Sequence, residues 1–120
     1  MAEGVGIPSP ATMTTTFQDG KLSGVKSPIL DGDIAKFAIV IARMAETGDE
    51  SLSLVLVDLT ADGFRREMVS TVDPTRSHAE ITFDGAAGEI LGATGQGWSF
   101  TEKIFYRAAI YLAFEQVGGA

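Results

Sequence analysis

The chain has 120 residues and a formal charge of −7, enough for one domain, or one domain with an appendage, around a modest core. The acidic balance leaves no basic patch to neutralise phosphates, which argues against a nucleic-acid partner. The absence of cysteine excludes disulfides, thiolate metal sites and cysteine nucleophiles.

Residues 1–11 are rich in glycine, proline and small side chains and read as a loop. Met1-Ala2-Glu3-Gly4 has neither the basic region nor the apolar stretch of a signal peptide. No apolar run is long enough for a bilayer, so the expectation is a cytoplasmic protein with no membrane partner. Gly4-x-Gly6 hints at a phosphate loop, but no strand precedes it and no helix follows. Thr12–Gln18 is β-prone, and Asp19-Gly20 is a hairpin signal, because glycine accepts the positive φ of a tight turn. Lys21–Val25 is the expected return strand, ended or pushed to an edge by Pro28, which cannot donate to a ladder. Asp31-Gly32-Asp33 is a second turn. The runs Phe37–Ala42 and Leu52–Val57 are apolar throughout and separated by the polar stretch Glu46–Ser51. Such runs predict strands covered on both faces. In His78–Asp84, Ala79, Ile81 and Phe83 alternate with polar residues, as in a half-buried strand. The fold class expected is mainly β with a C-terminal helix (α+β), the strands forming a small antiparallel barrel or sandwich.

After Gly95-Gln96-Gly97 the period changes. Trp98, Phe105 and Leu112 recur every seven residues with Ala109 between them, which predicts one helical face. Residues 108–114 are apolar on every side, and a helix of that kind is normally buried all round. A β-domain covers one side only. The expectation is therefore a bundle helix without its neighbours, which self-associates or binds helical partners.

Several motifs follow one another in order: Asp19-Gly20-Lys21-Leu22-Ser23-Gly24-Val25-Lys26-Ser27-Pro28-Ile29, Phe37–Arg43, Leu52–Asp58, Asp73-Pro74-Thr75-Arg76, Ile81-Thr82-Phe83-Asp84-Gly85, Gly97-Trp98 and Glu115–Ala120. Together they resemble the middle β-domain of an acyl-CoA dehydrogenase followed by the first helix of that family's C-terminal domain. The resemblance covers roughly Ala2 to Ala120, and the family is several times longer. It implies a division into a loop (1–11), a middle β-domain (12–95) and the first helix of a truncated helical domain (96–120). It also implies a fragment of a FAD-dependent enzyme that dehydrogenates acyl-CoA thioesters at the α,β positions and passes electrons to flavin.

In that family two loops lie against the flavin. One is a Lys-x-Trp-Ile-Thr segment, and the resemblance places Lys26, Ser27, Pro28, Ile29 and Leu30 there as cofactor-binding residues, mainly through their backbone. Lys26 and Ile29 match, whereas Pro28 stands for the Trp and Leu30 for the Thr. The other loop is a Thr-Glu followed by glycines, and Ala2-Glu3-Gly4 aligns with it. The family's carboxylate base comes from a later helix, so no catalytic residue is expected among these 120. Glu102 and Glu115 read as structural residues of the last helix, and His78 as a surface residue with no second ligand for a metal. Asp73–Arg76 reads as a turn. The family's CoA contact, an Asp-x-x-Arg, meets Tyr106 and Ala109 here and does not carry over; Arg107 beside them reads as solvent-facing. The alternative to the fragment reading is a non-catalytic β-barrel module or partner subunit that docks through its C-terminal helix.

Overall fold

The computed structural model describes residues 3–4, 6–44, 51–72 and 75–120. Ala2, most of Glu46–Ser51, and Asp73-Pro74 from the readings above lie outside them. A 3-10 turn at Pro10–Thr12 precedes six strands: β1 (Thr16–Gln18), β2 (Lys21–Leu30), β3 (Phe37–Met44), β4 (Leu52–Asp58), β5 (Phe64–Met68) and β6 (His78–Leu91). One helix, α1 (Gly97–Gly119), follows.

Five strands close into a barrel in the order β2-β1-β3-β4-β6, with β6 returning to β2. The β1–β2 hairpin turns on Asp19 and Gly20, at φ 50° and 75°, the left-handed pair that a two-residue hairpin requires. The remaining barrel pairings are antiparallel except one. Thr16 and Phe17 of β1 lie parallel to Arg43 and Met44 of β3, a departure from the all-antiparallel expectation. That short contact closes the ring, and the Arg43 amide donating to the Thr15 carbonyl at 2.8 Å extends it.

β6 runs to Leu91, well past the expected Asp84, and uses one edge twice. Residues 79–83 pair with β5 and residues 88–91 with β4. Between them Gly85, at φ 73°, is an extra residue opposite the Leu22–Ser23 step of β2. A bulge of this kind bends a strand and raises its twist, and here it carries β6 from one partner to the other. β2 likewise continues past Pro28 instead of ending there. The register slips between Lys26 and Ile29, so proline's missing N–H falls in an irregularity of the ladder.

Period-2 alternation sends Phe17, Leu22, Val40, Ala42, Val55, Val57, Ile81 and Phe83 into the barrel. Each large side chain buried there contributes about 1.5–3 kcal/mol. Outside the barrel, Met13, Ile41 and Leu52 form a second cluster capped by Trp98. The rest of that outer face is bare: Phe37 is 62% exposed and Ile39 58%. The expectation of cover on both faces therefore fails at the start of β3, because α1 reaches only the other end of the strand.

The seat of α1 is tight. The Ser53 hydroxyl accepts the Gly95 amide at 2.9 Å. A Cβ on Gly97 would lie 2.7 Å from the Ser53 carbonyl carbon, so only glycine lets the helix approach this closely. Beyond its first turns α1 leaves the barrel. Gly97 and Thr101 are its only buried residues, and Ile110, Tyr111, Leu112, Phe114 and Val117 are all exposed. Phe105 is exposed as well, so neither side of the helix is covered along its outer half. No described helix is long and apolar enough to cross a membrane.

Candidate functional site

Alternation along β2 turns Leu22 and Lys26 inward. An aliphatic residue would be ordinary at the second position, but a lysine there needs an anion. Glu3 supplies it from the N-terminal segment: Lys26 Nζ stands 2.5 Å from Glu3 Oε1, and both side chains are buried, Lys26 at 1% exposure. The carboxylate takes three more bonds. The Thr15 amide donates to Oε1 at 3.1 Å, the Thr14 hydroxyl to Oε2 at 2.6 Å, and the Thr14 amide to Oε2. Met13 Sδ lies 3.7 Å from the ammonium.

These contacts set the electrostatics. Burial works to raise the Glu3 pKa, but hydrogen bonds from Lys26, Thr14 and Thr15 outweigh it and hold the carboxyl at about 2, below its usual 4.5. Burial pushes the Lys26 ammonium below 10.5, and Glu3 opposes that shift. The Glu3 carboxyl is therefore ionised at neutral pH.

Next to the pair, the Gly4 amide donates to the Ser27 carbonyl at 3.0 Å, and Glu3 bridges Ser27 in parallel fashion. The far end of the N-terminal segment is held by Arg43, whose Nη2 donates to the carbonyls of Pro10 at 2.9 Å and Met13 at 3.1 Å. A small recess of about 120 Å³ lies along this segment, lined by Glu3, Gly4, Gly6 and Met13 among others.

The five residues assigned to a flavin thus have distinct fates. Lys26 is committed to Glu3. Ser27 binds Gly4 through its carbonyl and is half-buried, and the Ser27–Pro28 peptide is cis. Pro28 and Leu30 are exposed, with Ile29 partly buried between them. No side chain among them offers an aromatic face. As side chains, these residues do not fit a flavin.

The other residues considered lie apart. His78 opens β6, opposite Leu30, with the Thr71 hydroxyl 3.5 Å from its Nδ1. Arg76 pairs with Asp31, and Ser77 Oγ donates to Asp33 at 2.5 Å. Glu102, Arg107 and Glu115 are exposed on α1. Among the described residues no group of three or more His, Cys, Asp or Glu could hold a metal ion.

Two features escaped the sequence reading. One is the Glu3–Lys26 pair. The other is Arg66, whose guanidinium donates to the carbonyls of Asp33, Ala35 and Leu59 at 2.6–2.8 Å, tying β5 to two loops. No protein-family model matches the chain, and no curated protein matches it.

Proposed function

We propose that the chain is the barrel unit of an acyl-CoA dehydrogenase-like flavoprotein, a wall of backbone beside the cofactor that performs no dehydrogenation alone. The observation that supports this is the meeting of Glu3-Gly4 with Lys26-Ser27. These are the two segments that the resemblance sets against the flavin, and the Gly4–Ser27 hydrogen bond joins them across 23 residues of sequence.

Titration with FAD, followed through backbone amide shifts, tests it. The expected result is weak binding with shifts concentrated at Gly4, Gly6, Ser27, Ile29 and Leu30, and no acyl-CoA-dependent flavin reduction. Absence of shifts at these amides at millimolar FAD refutes the wall. Stoichiometric yellow protein that turns over acyl-CoA refutes the dependence on other segments.

A second reading, a non-catalytic module that docks through α1, is favoured by the exposed apolar surface of that helix. An uncovered apolar patch of several hundred Å² or more marks an interaction surface.

A further inference from the structure

The hole that holds the Glu3 carboxylate is built entirely by other parts of the chain. Its donors are the Thr14 amide and hydroxyl, the Thr15 amide and the Lys26 ammonium. Four donors converge on two oxygens, matching the four lone-pair sites of an ionised carboxylate. A fifth polar atom stands ready. Thr15 Oγ1 is buried with no hydrogen-bond partner among the described residues. The cation cannot withdraw, because strand alternation fixes Lys26 inside. The hole is therefore a property of β2 and the segment before β1, and Glu3 is its occupant.

We propose that Thr14, Thr15 and Lys26 form a carboxylate-binding site that the chain fills with its own Glu3, seating residues 3–4 and 6–13 as a strap, and that a small free monocarboxylate takes the same place when the Glu3 side chain is absent. In the intact chain a tethered carboxylate has an effective concentration in the millimolar range or above, so free carboxylate at low concentration does not displace it. With Glu3 truncated, the buried ammonium and three other donors are left without an anion, and an acetate-sized ligand restores the lost contacts.

The test is thermal unfolding and amide shifts of Glu3→Ala titrated with sodium acetate, against sodium chloride at equal ionic strength. The expected result is a saturable rise in Tm with acetate, several-fold larger than with chloride, and shifts at the Thr14 and Thr15 amides. The wild-type chain and Glu3→Gln, whose amide still fills the hole, should respond to both salts alike, and Glu3→Ala/Lys26→Met, which keeps three of the four donors, should show a diminished acetate effect. Equal effects of acetate and chloride on Glu3→Ala overturn the proposal, and so does an undiminished acetate effect in the double variant. If Glu3→Ala is unfolded in chloride, folding restored by acetate alone is the expected result, and a chain unfolded in both salts overturns it. No flavin enters this experiment, so its outcome is separate from that of the FAD titration.

Discussion

Breaking the Glu3–Lys26 pair from either side should have unequal costs. In Glu3→Gln the ammonium keeps only an amide oxygen and Met13 Sδ, and stays inside the barrel. Removing one partner of a buried pair typically costs about 3–5 kcal/mol. In Lys26→Met the carboxylate still receives three hydrogen bonds from Thr14 and Thr15. Losing one charge-assisted bond then costs about 1.5–3 kcal/mol, partly offset by an apolar side chain of similar volume. The double variant should be less destabilised than the sum of the two, by about 1–3 kcal/mol of coupling. Urea unfolding of all four chains at pH 7, read by circular dichroism, gives the cycle. Additivity within about 0.5 kcal/mol would refute the pairing. A lysine variant costlier than the glutamate variant would refute the order of costs, because it would mean that the carboxylate depends chiefly on the ammonium and not on Thr14 and Thr15.

Acid should act through the same carboxylate: its folded pKa of about 2 lies below 4.5, so its contribution is complete above pH 4.5 and fades as pH falls toward 2. Urea midpoints across that window should fall more steeply for the wild type than for Glu3→Gln; parallel curves refute the assignment. Gly97→Ala should lift α1 off β4, since the new Cβ meets backbone at 2.7 Å. Fluorescence of Trp98, the chain's single tryptophan, should shift to the red, and an unchanged spectrum counts against the tight seat. Ile110→Lys/Phe114→Lys should raise solubility and weaken self-association without loss of helix, because both positions are exposed; sedimentation of a wild-type chain that stays monomeric at high concentration would rule out association through α1.

The parts of the fold legible in the sequence are those where local chemistry and tertiary environment agree. Asp19-Gly20 makes the turn its φ preferences demand, and the cores of β3 and β4 fall within the apolar runs. The 97–119 helix follows the change of period at Gly97. β5 was illegible because Phe64-Arg-Arg-Glu-Met carries three charges and reads as a surface loop, although Arg66 spends its charge on three carbonyls. The length of β6 was hidden by Gly85 and Gly88, which look like a turn and are a bulge and a close approach to Val55. Lys26 was half legible. Its matching partner in the resemblance points to a cofactor, whereas the structure turns it inward with Leu22, where a counter-ion is required. That the counter-ion is Glu3, 23 positions earlier, depends on a chain path that no local pattern encodes.

The one-sided anchorage of α1 makes it a lever. Twenty-three residues at 1.5 Å each span about 34 Å, and all the leverage acts on the short seat formed by Gly95, Gly97, Trp98 and Thr101 against β3 and β4. A tilt of about 10° at that fulcrum sweeps the far tip through about 6 Å, more than one 5.4 Å helical turn. Whatever grips the outer half of the helix therefore exerts torque directly on the Ser53 edge of the barrel. Small repacking around Trp98 is correspondingly magnified at Phe114 and Val117.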